Sequence, residues 1–477
     1  MLYEEVAAAL RQAIDESAYA PGTRLPGVRR LAELYGVSVS TVMSALERLE
    51  AEGRVEGRQR AGFFVLTPPR RPSATRPSPA ADNGCEVEAP RAVSPQSVTL
   101  DLLQAVRGTR FGQLGVAMPH HSFLPLKALQ RAFRQTRRWQ TGESAAYSFP
   151  PGLPALREQV ARRLARAGCT AGPARVQITS GAQEALSLSL RAVAAPGDVI
   201  AVESPTYYGL LQCLHTLGLK AIEVPTDRYG VSVPALRLAL EQWPVRACVL
   251  MPNHGNPIGH AMPETRKREL AALLDETGTP LIEDDVYGEF GHTRARPRTL
   301  QSHLRRADWY LVGSASKSVS AGLRLGWVVG PEQRGRELQY LQYTQTTGAS
   351  TLDQYALAEY LARGGHDRHL RRVRTAYAEL TRRMRAQLLA ELPQGTRVNQ
   401  PAGGYLLWVA GPAGLDAMAL HQRAMAEGIA LFPGPLFSAS GRYRHCFRLN
   451  AAVAWDDGVA GALSRLAALA HQQLAEG

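Results

Sequence analysis

The run W-Y-L-V-G-S-A-S-K-S-V-S-A-G-L-R-L-G-W (Trp309–Trp327) decides how most of this chain is read. Its first four residues, Trp309–Val312, have the length and character of a buried strand, and Gly313-Ser314-Ala315-Ser316-Lys317 follows without a break. A lone lysine near a sheet edge is ordinarily a surface charge. Here only four of the 55 basic residues are lysines: Lys127, Lys220, Lys267 and Lys317. That skew is a compositional bias toward arginine, and it draws notice to a lysine standing where arginine chemistry would fail. Lys317 is flanked by small hydroxyl residues, and Arg324 follows seven positions on, within reach of the same pocket. An amine that must lose its proton and attack a carbonyl has to be lysine, because a guanidinium keeps its proton.

Upstream, apolar runs alternate with amphipathic patterns: Val176–Thr179, a helix from Gln183, Val199–Glu203, a helix from Tyr207, Ala221–Val224, a helix from Val233, Arg246–Met251, a helix from Glu264, and Leu281–Glu283. That order predicts an α/β domain around a largely parallel sheet, with ligands at the carboxyl ends of its strands. Thr179-Ser180-Gly181-Ala182-Gln183 places small residues between a strand and a helix, so that backbone N–H groups can approach an anion. Ile282-Glu283-Asp284-Asp285-Val286-Tyr287 puts carboxylates directly after a strand, poised over the same edge. Metal binding is conceivable there, but no histidine partners stand nearby, and no metal is expected.

The first 66 residues read differently. Leu2, Val6, Leu10, Ala13 and Ile14 fall at helical spacing; a second helix opened by Pro26 carries Val28, Leu31 and Leu34 and stops at Gly36. Ser38 to Glu52 forms a third, with Val42, Leu46 and Leu49 facing inward. Gly36-Val37-Ser38 is a tight turn with a serine cap, the spacing of a helix-turn-helix. Two short strands, Gly53–Glu56 and Gly62–Val65, flank the basic loop Gly57-Arg58-Gln59-Arg60-Ala61 as a wing. Residues 67–97 are rich in Pro, Ser and Ala, lack apolar periodicity and read as a linker, which divides the chain into 1–66, 67–97 and 98–477.

Composition is that of a globular protein, with 45% apolar and 20% charged residues, and 477 residues suggest two or three domains. No apolar run approaches a membrane span, and no secretory leader is visible at Met1-Leu2-Tyr3-Glu4-Glu5. Cys85, Cys169, Cys213, Cys248 and Cys446 lie scattered without C-x-x-C spacing, so a reducing, cytoplasmic location is expected. The net charge of +13 is not where DNA binding would place it. Residues 1–66 carry eight basic and nine acidic residues, whereas 101–477 carry 43 and 30.

Leu25–Glu56 resembles the winged helix of GntR-type bacterial regulators. The resemblance implies a third helix in the major groove and DNA contacts by Arg29, Ser38, Ser40, Thr41, Arg58 and Gly62. Val39 and Met43 stand where well-known members carry arginines, which removes strong guanine readout and shifts the expectation toward shape and spacing.

Residues 100–477 resemble the fold type I aminotransferases that use pyridoxal 5′-phosphate, a large α/β fold with a small C-terminal α/β subdomain. Eight motifs occur in order: Y-S-F-P-P-G-L-P-A-L-R (Tyr147–Arg157), T-S-G-A-Q, E-S-P-T-Y, N-P-I-G (Asn256–Gly259), E-D-D-V-Y, S-A-S-K, G-L-R-L-G and F-R-L-N. The resemblance implies Lys317 as the catalytic, cofactor-bearing lysine, Asp284 on the pyridine nitrogen, Asn256 and Tyr287 on the ring hydroxyl, and Tyr207 stacked on the ring. The phosphate would meet Gly181 and Ala182 through the backbone, Ser314, Arg324, and Tyr147 across a dimer interface; Arg448 would grip a substrate carboxylate. Ile258 and Ala321 depart from commoner Thr and Pro without removing a cofactor contact.

Winged helix, linker and aminotransferase-like body together resemble the MocR subgroup of GntR regulators. The implied function is a homodimeric transcription factor that binds pyridoxal phosphate and a double-stranded DNA operator and senses an amino acid or the cofactor, away from membranes. Two alternatives stay open: a working aminotransferase with a DNA-binding head, and a retired enzyme body serving as a dimerisation scaffold. Motifs cannot separate regulator from enzyme, because cofactor capture and catalysis need the same residues.

Overall fold

The computed structural model describes residues 2–15, 19, 22–51, 54–58, 62–66, 87–94, 97–106, 108–136, 146–292 and 296–476. Most of the expected linker (67–86), Cys85 and the wing-loop residues Gln59, Arg60 and Ala61 lie outside them, and Arg58 is described in its backbone only. The chain divides into two units, Met1–Arg76 and Pro77–Gly477.

In the first unit, α1 (Leu2–Asp15), α2 (Val28–Tyr35) and α3 (Val39–Ala51) precede an antiparallel pair, β1 (Val55–Arg58) and β2 (Gly62–Val65), in which Val55 faces Val65. The apolar residues predicted at helical spacing close one core: Val6, Leu10, Ile14, Leu31, Val42, Leu46 and Leu49 are buried together with Val55 and Val65. Leu34 departs from this, 65% exposed, because α2 presents Leu31, Ala32 and Tyr35 to that core instead; Ala13 is half-buried, and the Leu2 side chain lies outside the described residues. Gly36 ends α2 at φ 64°, a left-handed geometry that costs glycine little, and its N–H reaches back to the carbonyls of Ala32 and Glu33. Ser38 Oγ then accepts from Thr41 N at 3.2 Å and caps α3.

The second unit is built on one sheet. Its strands are β3 (Arg91–Ala92), β4 (Val176–Thr179), β5 (Val199–Ser204), β6 (Lys220–Asp227), β7 (Gly230–Val231), β8 (Val245–Leu250), β9 (Leu281–Asp284), β10 (Trp309–Ser314) and β11 (Gly326–Val329). They lie in the order β3-β6-β5-β8-β9-β10-β11-β4, with β7 beside β6. The run β6-β5-β8-β9-β10 is parallel, while β11 runs antiparallel to both β10 and β4. Strands such as V-I-A-V-E-S and L-I-E-D are buried at every residue, as a parallel sheet with both faces covered requires. A smaller antiparallel sheet, β12 (Arg397–Val398), β13 (Leu406–Ala410), β14 (Phe432–Pro433) and β15 (Cys446–Asn450), has the order β12-β13-β15-β14 and packs with helices Gly365–Glu391, Ala417–Ala426 and Asp457–Glu476.

One stretch departs from its expectation. Residues 87–94, assigned by composition to the linker, belong to the large unit: β3 pairs Arg91 with Ala221, Val93 is buried, and its carbonyl meets His215 Nδ1 at 2.7 Å. Backbone pairing on an open sheet edge needs no apolar periodicity, so the sequence pattern carried no sign of it. The helix α4 (Ser97–Ala105) follows.

Leu46 is fully buried at the centre of the small unit's core. Leu46→Ala should destabilise that unit by about 2–5 kcal/mol, the usual cost of a large-to-small core change. Calorimetry of the full chain should show a lowered transition for the small unit and an unmoved one for the large unit; a single transition shifted as a whole would contradict two independent cores.

Candidate functional site

Parallel strands deliver their following loops to one edge, and the sequence places polar chemistry there strand by strand. After β4 comes Gly181, after β5 Tyr207, after β8 Asn256, after β9 Tyr287 and after β10 Lys317. The antiparallel β11 starts at that same edge, with Gly326 opposite both Thr179 and Ser314, so Arg324 arrives from the other direction. A cavity of about 330 Å³ opens between these loops. Of the residues singled out from the sequence, Ala182, Tyr207, Asn256, Asp284, Tyr287, Ser314, Lys317 and Arg324 line it.

At one end, Gly181 (φ 94°) precedes the helix Ala182–Val193 and has Arg324 against it: a Cβ built there would lie 2.8 Å from the Arg324 guanidinium. Glycine is needed both for the backbone angle and for that approach. Arg324 is itself exposed, donating to Ser180 O at 3.1 Å, so its charge faces the opening beside a helix N-terminus. Ser314 lies alongside and shares a 2.9 Å hydrogen bond with Ser316, whose hydroxyl also lines the cavity.

At the other end, strand pleating separates carboxylates that stand side by side in the sequence. Glu283 accepts from Leu300 N and Gln301 N, both at 2.8 Å, and Asp285 pairs with Arg296; only Asp284 lines the cavity. Asp284 accepts from Val286 N at 3.0 Å, and burial raises its carboxyl to about 6. The buried Tyr287 hydroxyl has only the Tyr405 hydroxyl beside it, and that one donates to Ala117 O. Such an under-satisfied hydroxyl next to a carboxylate and an open anion cradle fits the polar outline of pyridoxal phosphate.

Lys317 sits between these ends. Burial, reinforced by Arg448 and Arg324, lowers its amine to about 8. Nζ donates to Ala117 O at 2.7 Å, and Tyr405 donates to the same carbonyl at 3.3 Å. Arg448 does not line the cavity in this conformation. It is fully buried on β15, its guanidinium 4.9 Å from the Phe432 ring centre, donating to Asn256 Oδ1 (3.0 Å) and Gly115 O (2.6 Å). Its Nε has no partner. Tyr147 is 77% exposed and lies apart from the cavity, in an aromatic group with Phe149 and Tyr343. The segment Gly115–Met118 leaves no motif in the sequence, since it contributes carbonyls rather than reactive side chains. Ser316, within the quoted S-A-S-K, was legible.

In the small unit, Ser38, Ser40 and Thr41 converge at the start of α3: Ser38 Oγ lies 2.8 Å from both other hydroxyls. Arg29 is exposed on α2, Val39 is exposed at the start of α3, and Gly62 opens β2. Among the described residues no group of acidic, histidine and cysteine side chains is arranged to hold a metal, and no helix is long and apolar enough to cross a membrane.

Comparison with known proteins divides at the same place. Residues 2–65 match the bacterial regulatory proteins of the gntR family, and residues 117–466 match aminotransferase class I and II. YdcR of Escherichia coli, described as an uncharacterized HTH-type transcriptional regulator, is 37% identical over 473 residues, covering 99% of both chains. Among solved structures, the α-aminoadipate aminotransferase LysN of Thermus thermophilus superposes with a TM-score of 0.74 at 27% identity, covering 81% of this chain and 97% of that one. The kynurenine aminotransferase of Pyrococcus horikoshii gives 0.75 at 26%, covering 80% and 96%. The chain belongs to the MocR-type GntR regulators, in which a winged helix-turn-helix is fused to an aminotransferase-like domain of fold type I.

Proposed function

We propose that this regulator binds pyridoxal 5′-phosphate in the cavity at the sheet edge, reads an amino acid or the cofactor there, and converts occupancy into altered affinity for a double-stranded DNA operator. The observation that carries this reading is the convergence of Lys317, Asp284, Ser314 and Arg324 on one cavity, beside the buried Tyr287 hydroxyl. Lys317 would carry the cofactor. Asp284 would face the ring nitrogen, Asn256 and Tyr287 the ring hydroxyl, and Tyr207 the ring face. Gly181, Ala182, Ser314 and Arg324 would hold the phosphate, with Tyr147 added by the second subunit of a homodimer. Arg448, now shared between Asn256 and Gly115, would turn its guanidinium to a substrate carboxylate, a bidentate partner by shape. Bound there, the cofactor supplies an aldehyde that takes an amine and a protonated ring that withdraws electrons. Asp284 is suited to its part: more acidic than the surrounding pH at about 6, it is ionised near neutrality and can hold a proton on a facing nitrogen.

On the DNA side, the hydroxyl-rich start of α3 and exposed Arg29 supply backbone contacts, with Arg58 and Gly62 contributed by the wing. Regulation is favoured over turnover by the end-to-end match to a protein named as a regulator, winged helix included. The same residues would serve an aminotransferase, so the distinction rests on DNA.

Purified chain mixed with pyridoxal phosphate should turn yellow, and borohydride treatment followed by peptide mapping should place the cofactor's mass on Lys317. In Lys317→Ala the covalent adduct should vanish. Because only the neutral amine attacks, capture should quicken roughly tenfold per pH unit below 8 and level off above it, as the Lys317 amine loses its proton. A flat stopped-flow profile between pH 6 and 9 would remove Lys317 from this role.

Operator affinity, measured with and without saturating pyridoxal phosphate and amino acids, should change by about 5- to 150-fold, the usual range of allosteric coupling. Lys317→Ala should show no such change. Equal affinities throughout, together with repeated turnover of an amino acid and a keto acid, would instead establish an enzyme with a DNA-tethering head.

A further inference from the structure

Resting on that reading of Lys317 and its neighbours, we infer that the amino acid sensed by this site is a monocarboxylate with an uncharged, apolar side chain. The geometry begins at the segment Gly115–Met118. Its first carbonyl takes Nη2 of Arg448 at 2.6 Å, and the carbonyl of Ala117 takes Nζ of Lys317 at 2.7 Å. Asn450 Nδ2 holds the last carbonyl, that of Met118, at 2.8 Å. One short stretch of backbone thus spans from the guanidinium to the amine. An α-amino acid has the same two ends, a carboxylate and a nitrogen on one carbon. With its carboxylate toward Arg448 and its nitrogen toward Lys317, its side chain leaves beside this segment.

The side chains that line the cavity from there are Val116, Ala117 and Met118, joined by Leu103 from α4. Met118 is 45% exposed and Leu103 half-buried, so an apolar rim stands at the opening. Among the described residues, the only charged groups in the lining are Asp284, Lys317 and Arg324, each already committed to the cofactor. The neutral amide of Gln183 is spent on Gly209 O at 2.7 Å. Within one subunit, a second carboxylate or a terminal ammonium would therefore meet an apolar rim with no counter-charge among the described residues, and an unpaired charge held against hydrocarbon is costly. A leucine or methionine side chain meets only hydrocarbon and sulfur there. The lining selects by refusing charge as much as by accepting carbon.

The test uses the full chain in two readings. Visible absorbance after gel filtration reports whether pyridoxal phosphate is retained. Calorimetric titration of that loaded protein with leucine, methionine, glutamate, aspartate and lysine then reports selectivity. Leucine and methionine should bind at least about tenfold tighter than the three charged amino acids. Met118→Arg should narrow or reverse the ratio of leucine to glutamate, because it places a cation on the rim. If the cofactor is retained but a charged amino acid binds as tightly as leucine, or if no amino acid binds, this inference is overturned while the Lys317 reading stands. If wild type retains no cofactor, that reading fails and this one with it. A loaded Met118→Arg protein whose selectivity matches wild type would overturn the placement of Met118 in the specificity rim.

Discussion

Parallel pairing sets Leu250 opposite Glu283 and Asp284 opposite Val312, and that register delivers Asp284, Ser314 and Lys317 to the cavity. A slip of one residue would exchange the two faces of β9. Glu283, now locked onto the backbone of Leu300 and Gln301, would turn into the cavity, and Asp284 would be driven into the packing behind it. The same ladder continues through β10 and β11, so that Ser314, Lys317 and Arg324 meet the loop after β4 although more than a hundred residues separate them. The site is a product of the sheet's alignment before it is a product of its side chains.

The charges so gathered do not balance. Arg448 and Arg324 both act against the Lys317 cation, and Asp284 opposes them as its counter-charge. Burial pushes Lys317 and Asp284 toward their neutral forms from opposite directions, while arginine has no accessible neutral form. An excess of fixed positive charge in a partly closed space is stabilised by anions. Backbone carbonyls at Gly115, Ala117 and Ser180 supply part of that negative character through their dipoles, and a phosphate or carboxylate would supply it in full.

Much of this was legible in the sequence, for reasons that can be named. Strand and helix starts followed apolar runs broken by Gly, Ser and Pro, and the ordered motifs carried chemistry in their side chains. The three-helix core was readable because Val42, Leu46 and Leu49 fall on one helical face. What escaped reading acts through the backbone or through distance. Gly115–Met118 offers carbonyls, which every residue has. The pairing of Arg91 and Ala92 with β6 leaves no pattern in a two-residue strand. The diverging directions of Glu283, Asp284 and Asp285 follow from pleating and from partners at Leu300 and Arg296 that no local motif contains.

That two-residue strand has a consequence for how the large unit keeps to itself. β6 is eight residues long and lies near the sheet's margin, where an open row of N–H and C=O groups can recruit a strand from another molecule. β3 closes that margin at Lys220 and Ala221, β7 closes it at Thr226 and Asp227, and Pro225 offers no N–H between them. A fragment trimmed to begin near residue 100 would lose the first of these covers and expose an adhesive border. Self-association of such a fragment would report the missing cover, not a dimer interface.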